Sequence, residues 1–314
     1  MNYAPVVMFV YNRADHFEQT YRALAACREA KETDLIVFSD GPKNEDGAGK
    51  VLAVREKIRE FASDGAFQSV TVHESEHNRG LAASIIAGVT EVMGAFGKAI
   101  VVEDDCVASP YFLHYMNTCL SYYEKDKTVG SISGFSPALK ALESWPHDVF
   151  AAYRSCSMSW ASWSDRWSDV DWELKGFQAF CRSRRLVNRF NAEGNDRFLR
   201  LYRQAVKGGS SWSVRFGMHL VNNNMMTIYP RYSYISNIGC DDSGVHSSEG
   251  DAELMSVDIT KAIPDPKPVP PVIDKTIQRA MKKHYSGDLP HSLAHELAAA
   301  LLAARVSVTG VRHE

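Results

Sequence analysis

No stretch of this 314-residue sequence runs through 18 or more apolar residues without interruption, so no membrane-spanning helix is expected. The N-terminus, "MNYAPVVMFVYNRADH", lacks the basic segment and long apolar core of a secretory leader. Cysteine is sparse: Cys27, Cys106, Cys119, Cys156, Cys181 and Cys240 are scattered without CxxC or Cys/His spacing. That excludes an obvious zinc site and fits free thiols in a reducing compartment. Charge of one sign is not in excess, since 35 basic and 38 acidic residues leave a net charge of -3. Nothing therefore draws the whole molecule to nucleic acid or to an anionic membrane, and an anionic ligand must be held by local groups. Neither GxGxxG nor GxxxxGK[ST] occurs, which argues against a nicotinamide-binding Rossmann protein and a P-loop ATPase. No repeat of fixed period is present. The expectation is a cytoplasmic protein, with peripheral attachment at the inner face of the membrane left open.

What is present is a 45% hydrophobic chain, enough for a sizeable core. Its first half alternates short apolar runs with helical patterns: "PVVMFVY", "DLIVFSDGP", "SVTVHES" and "KAIVVEDD" read as strands, separated by helices that include the span 50–62. The alternation predicts an α/β fold with a mostly parallel central sheet and right-handed crossovers. In such sheets ligands bind beyond the carboxyl ends of the strands, and "YNR", "SDG", "HNRG" and "EDD" each follow a strand. Four polar clusters at four strand ends describe one crevice.

The second half predicts a helix at 110–125, a tryptophan-rich segment and a charged helical stretch near 176–207. The expected division is a domain of residues 1–250, a proline-rich linker of 251–272 and a helical tail of 273–314. Within the domain, 1–135 would hold a nucleotide and 136–250 an acceptor. "AIPDPKPVPPVID" has five prolines in thirteen residues and reads as extended chain. In the tail, Leu293, Leu297, Leu301 and Leu302 form an apolar stripe that must be buried against the domain, a partner subunit or a membrane surface.

The chemistry concentrates in "IVVEDDC". Glu103, Asp104 and Asp105 close an apolar strand in immediate succession, and their mutual repulsion is relieved by a hard divalent cation, Mg2+ or Mn2+, with oxygen ligands. An acidic surface turn is the plainer alternative. Arg79, beside Asn78 and just before a helix start, could pair with a diphosphate where backbone amides already favour an anion. Asp40 in "FSDGPK" could accept from a base or ribose, or simply make an Asp-Gly turn. Trp160, Trp163, Trp167 and Trp172 fall at intervals of three, four and five, close to helical spacing, and are mostly expected in the core. Asp165 lies among them as a candidate base. His246 and the Asp241/Asp242 pair lie in a glycine-containing loop that could act as a lid.

Taken in order, "PVVMFVYNRADHFEQT", "LIVFSDGPK", "HNRGLAASIIAGVTEV", "IVVEDDCVASPYFLHYMN", "VGSISGF", "SWASWSDRW" and "TIYPRYSYISNIGCDDSGVH" resemble bacterial family-2-like sugar transferases. These are related to the N-acetylglucosaminyltransferase I group of GT-A glycosyltransferases. The resemblance covers about residues 5–248. It implies a GT-A (Rossmann-like) nucleotide-sugar-binding domain with a C-terminal helical extension, performing an inverting, metal-dependent transfer to an acceptor hydroxyl in polysaccharide or glycoconjugate synthesis. The donor would be a nucleotide diphosphate sugar, UDP-sugars being favoured, and the acceptor a glycan or lipid-linked sugar. By similarity, Asp105 would bind the metal, Asp104 face the ribose and Glu103 the donor sugar. Tyr11, Asn12, Arg13 and Asp40 would line the nucleoside pocket, Asn78 and Arg79 would lie near ribose and diphosphate, and His246 would close over the donor. The family's aspartate after a tryptophan is here Ser213, in "SSWSVRF". Asp165 is therefore the substitute candidate for the base, with Asp241 and Asp242 behind it.

Two other functions compete. A non-catalytic donor-binding protein or assembly partner would keep "EDD" and lack the base. A nucleotidyltransferase would need a glycine-rich basic loop that "PVVMFVYNRADH" does not contain, and ranks last.

Overall fold

The computed structural model describes residues 3–241, 256–286 and 289–311. Strands β1 (Val6–Val10), β2 (Asp34–Ser39), β3 (Ser69–Glu74) and β4 (Lys98–Glu103) alternate with helices α1 (Ala14–Ala25), α2 (Glu45–Phe61) and α3 (Leu81–Phe96). They pair in parallel in the order β3-β2-β1-β4. The predicted 50–62 helix begins earlier because Asn44 caps it, its side-chain oxygen accepting from Gly47 N at 3.0 Å.

Past β4 come β5 (Cys106–Ala108), α4 (Phe112–Tyr123), β6 (Val129–Ser133), β7 (Val149–Ala152), β8 (Ser159–Trp163) and the short α5 (Ser164–Trp167). The expected charged helix is three, α6 (Phe177–Arg182), α7 (Arg184–Phe190) and α8 (Asp196–Lys207), followed by α9 (Trp212–Asn222), β9 (Met226–Pro230) and β10 (Ile235–Asn237). Among the described residues the main sheet has eight strands in the order β3-β2-β1-β4-β8-β6-β9-β7, and β5 pairs with β10 in a small second sheet. β7 and β8 run against the other six strands, so the mixed α/β sheet is mostly parallel, as read from the sequence.

The strand pleat separates two cores. Val6, Met8, Ile100, Val102, Ala161 and Trp163 face α1, α2 and α4, while Val7, Phe9, Val101 and Trp160 face α3 and α9. This corrects the helical reading of the tryptophans: Trp160 and Trp163 stand on strand β8, three apart and therefore on opposite faces. Trp160 stacks on Trp212 with ring centres 5.1 Å apart, and Trp167 packs against Trp172 at 4.7 Å. Cys27, Cys106, Cys119, Cys156 and Cys181 are buried free thiols.

The proline-rich chain is a strap laid on the domain. Tyr234 and Tyr123 donate their hydroxyls to Ile263 O at 2.8 Å and Val269 O at 2.6 Å, and Lys267 N donates to the Asp148 carboxylate at 2.9 Å. Beyond it lie α10 (Lys275–Ser286) and α11 (Leu289–Thr309). α11 docks on α6, α7 and α8, but through Ala299, Ala303 and Val306, with Leu302 partly covered. The expected leucine stripe is thus corrected: Leu297 and Leu301 are each 63% exposed, because small side chains let the helix backbone approach its neighbours closely. The side chain of Leu293 lies outside the described residues.

Candidate functional site

The first four strands run in parallel, so the segments following them emerge at one edge of the sheet. From β1 the chain moves to β2 and β3 on one side, and returns to place β4 on the other. The gap between β1 and β4 is thus the topological switch point where an open α/β sheet binds ligands. Arg13 follows β1 there, and Glu103, Asp104 and Asp105 close β4 directly opposite.

One guanidinium nitrogen of Arg13 donates to both Asp104 and Asp105, to the latter at 2.8 Å. Thr20 on α1 donates its hydroxyl to the Asp104 carbonyl at 2.8 Å. Pairing of β10 with β5 lays residues 237–239 over the acids. Asn237 Nδ2 donates to Asp105 Oδ1 at 2.9 Å, Ile238 N to the Asp105 carbonyl at 2.9 Å, and Gly239 N to Asn237 Oδ1 at 2.9 Å. A Cβ on Gly239 would lie 2.2 Å from Asp105 Oδ2, so only glycine allows this approach. His16, one turn beyond Arg13, meets Ile238 O at 3.3 Å and the Asp241 carboxylate at 3.2 Å.

Three acids facing one guanidinium are under-neutralised. Burial first, then Asp105 and Asp104, push Glu103 well above the ordinary carboxylate range, with Arg13 pulling weakly the other way. Asp104 is raised too, because burial outweighs Arg13. Burial opposes the charge on Arg13, yet Asp104 and Asp105 more than offset this and raise its pKa. Among the described residues no three His, Cys, Asp or Glu side chains surround a common point. Asp105 Oδ1 accepts from Asn237 and, at 3.6 Å, from the Cys106 thiol, while Oδ2 accepts from Arg13 and keeps capacity for another partner. A hard cation therefore fits only with Asp105 as its firm protein ligand, the remainder of its shell coming from ligand oxygens and water.

The neighbouring loops are positioned by Asp40, which corrects its expected role. Its Oδ1 accepts from Gly41 N at 2.9 Å and Arg79 N at 2.8 Å; Oδ2 accepts from Asn78 Nδ2 and Gly80 N, both at 3.0 Å. With four donors the carboxylate has no oxygen left for a base or ribose, and it instead fixes the entry to α3. Asn78 likewise commits its amide to Asp40 and to Gly41 O. Arg79 has an exposed side chain beside a cleft of about 240 Å³ lined by Phe38, His73 and Ser84. Tyr11 sits at the mouth, its hydroxyl accepting from Lys43 N at 3.3 Å, with half-buried Asn12 between it and Arg13.

Ser213 opens α9. That helix feeds β9, which is parallel to β4, and Trp212 stacks on Trp160 opposite Val101, so its N-terminus lies toward the carboxylate edge. Asp165 does not. β8 runs antiparallel to β4, pairing Trp163 with Lys98, so Asp165 emerges where β4 begins, about 17 Å along the strand from Glu103. There it bridges Lys127 and Arg166, each at 2.5 Å. Those cations lower its pKa despite some desolvation, and the base assignment fails on position. His246 and Asp242 lie outside the described residues.

Sequence reasoning missed His16, Thr20, Asn237 and Gly239. Arg13, His16 and Thr20 stand at helical spacing on one face, a legible signal; Asn237 and Gly239 depend on the β5–β10 pairing, which is not local.

No protein-family model and no curated protein matches the chain. Among solved structures it is similar to S. aureus TarS, at 12% identity and a TM-score of 0.45 over 76% of this chain and 37% of that one. The chain thus spans little more than a third of that protein. It is similar also to TarS 1-349 in complex with UDP-GlcNAc (12%, TM-score 0.42, 74% and 57% covered). A third is the mannosyltransferase PcManGT from Pyrobaculum calidifontis in complex with GDP-Man and Mn2+ (12%, TM-score 0.42, 98% and 87% covered).

Proposed function

We propose that the chain is a GT-A glycosyltransferase of the N-acetylglucosaminyltransferase I kind, moving a sugar with inversion from a nucleotide diphosphate sugar to an acceptor hydroxyl of a glycan or lipid-linked sugar. The observation that carries this reading is the cluster at the switch point: three carboxylates and one guanidinium leave a formal deficit of two positive charges, which a divalent cation supplies. Asp105 would hold Mn2+ or Mg2+, which when bound neutralises the departing diphosphate. Asp104 faces the ribose and Glu103 the donor sugar, while Tyr11, Asn12 and Arg13 border the nucleoside. Arg79 reaches the diphosphate from a loop that Asp40 and Asn78 hold in place. Residues 1–135 carry the donor and 136–250 the acceptor, with 273–314 bracing the second half.

A second reading, a donor-binding protein without turnover, is favoured by Ser213 at the head of α9, since a serine is no comparable base at neutral pH. Incubation with UDP-, GDP-, dTDP- and CMP-sugars and Mn2+ separates the two. Metal-dependent transfer or slow hydrolysis of one donor is the expected result. Binding without turnover establishes the second reading, and failure to bind any donor overturns both.

A further inference from the structure

α11 is apolar on two sides. Its inner side is consumed by the contacts of Ala299, Ala303 and Val306 with α6, α7 and α8. On its outer side Leu297 and Leu301 are each 63% exposed and Val308 is 83% exposed, with Ala294 and Ala304 also exposed. The five positions 294, 297, 301, 304 and 308 follow a three-four-three-four spacing, the seam of a helix that packs along a second helix. No described helix is long and apolar enough to cross a membrane, so the seam is not part of a span.

We propose that this seam is the interface of a homodimer, formed by α11 of a second copy lying antiparallel across it. The order of the first four seam positions, Ala294, Leu297, Leu301, Ala304, is small-large-large-small and reads the same from either end, with Val308 lying beyond this palindromic stretch. A two-fold axis near position 299 therefore sets Leu297 against the second copy's Leu301 and Ala294 against its Ala304, as an isologous contact requires. Charge selects the same arrangement. Along the seam the ionisable residues are His295, Glu296 and Arg305; parallel helices would set each beside its own copy, whereas antiparallel ones separate the two Arg305 by about 18 Å and the two Glu296 by about 9 Å along the axis. A single arginine is also far from the cationic row of a helix lying on an anionic membrane. The seam is about 21 Å long, and two of them bury on the order of 1,000 Å², the lower bound for a specific interface. The dimer is accordingly weak, with a dissociation constant on the order of 10 µM.

Sedimentation equilibrium of the full chain from about 1 to about 200 µM, a range that brackets such a constant, tests this. The expected result is reversible dimerisation that Leu297→Glu/Leu301→Glu weakens at least about 30-fold. Leu297→Glu/Leu301→Lys should instead stay within about threefold of the wild type, because each introduced carboxylate then meets an introduced ammonium of the second copy. Both positions are largely exposed, so circular dichroism and melting should match the wild type. A chain monomeric throughout overturns the proposal, and loss of dimer in both variants overturns the antiparallel register. A monomer that sediments with 3:1 neutral:anionic phospholipid vesicles, and fails to after Leu297→Glu/Leu301→Glu, assigns the seam to a membrane and overturns it as well.

Discussion

Two buried charge clusters of this molecule differ in balance. Beneath α9, Arg154 makes a two-pronged pair with Asp196, at 2.9 and 3.2 Å, and lies 3.8 Å above the Tyr285 ring. Beside it Arg197 donates to Ser155 Oγ at 2.7 Å and Tyr153 O at 3.3 Å, passing Gly217, where a Cβ would be 1.9 Å from its nitrogen. Glu193 accepts from Gln278 at 2.7 Å. Arg200 also reaches Asp196 at 3.4 Å from the surface, so three cations stand against two acids, and Arg197 is held by a backbone carbonyl and a hydroxyl; Glu193 Oε2 is left without a hydrogen-bond partner among the described residues. At the switch point three acids share Arg13, and the deficit remains. Both clusters bear the desolvation cost of buried charge; the cation-rich one reads as architecture and the acid-rich one as a place for a ligand.

The sharpest way to break the contrast is to remove one arginine from each side. Arg154→Met should cost about 3–5 kcal/mol in urea unfolding, since it strips the largely buried Asp196 of its two-pronged partner, and Mn2+ should not restore it. Arg13→Met should also destabilise, yet saturating Mn2+ should recover much of the loss, because a cation can replace a cation. Equal responses to Mn2+ would contradict the distinction.

Next in size, Gly239→Ala should cost about 1–3 kcal/mol by forcing the 237–239 segment off Asp105, and should weaken donor binding with it. An unchanged melting temperature and donor affinity would show that this segment gives way freely.

A smaller effect is the opposite pH response of Asp196 on one side and of Glu103 and Asp104 on the other; Glu193, raised by burial despite Gln278 and the arginines, follows the latter two. Glu103 and Asp104 have folded pKa values raised above their ordinary 4.5 and 3.8, so the folded state holds their protons more tightly. Their contribution to stability therefore declines as pH rises from about 4 through those raised values, and Mn2+ or Glu103→Gln should flatten the decline. Asp196 is depressed below 3.8: burial raises it, but Arg154 wins. Its contribution is complete above 3.8 and is lost as pH falls through the lowered value. Melting temperatures across pH 3–8, with and without Mn2+, check both signs; a metal-free profile without the decline above pH 4 would count against the first.

The smallest change is Ser213→Ala, which should leave any donor turnover within about twofold, since a serine hydroxyl is not the base. A loss of a hundredfold would give Ser213 a role in the chemistry.

The parallel half of the fold was legible because strand, polar cluster and helix recur locally, and the direction of β1 to β4 makes neighbours of "YNR" and "EDD" without further information. The rest depended on direction and pairing. Asp165 looked close to the site in a tryptophan-rich stretch, but an antiparallel β8 delivers it to the far end of β4. Asp40 looked like a ligand-binding carboxylate until the distant 78–80 loop took its lone pairs. Leu297 and Leu301 had the pattern of a buried stripe, and the alanines between them took that place.

The measurement that tests the site most directly is calorimetric titration of the best nucleotide sugar into wild type and Asp105→Ala, each with Mn2+ and with chelator. Wild type should lose at least about 100-fold in affinity without Mn2+, and Asp105→Ala should bind equally weakly in both conditions. Cys106→Ala should lose far less than Asp105→Ala, since that buried thiol donates to Met158 O at 2.8 Å and meets Asp105 Oδ1 only at 3.6 Å, contributing no charge to a cation. A wild-type affinity indifferent to Mn2+, or a Mn2+ dependence intact in Asp105→Ala, would contradict the account of the carboxylate cluster.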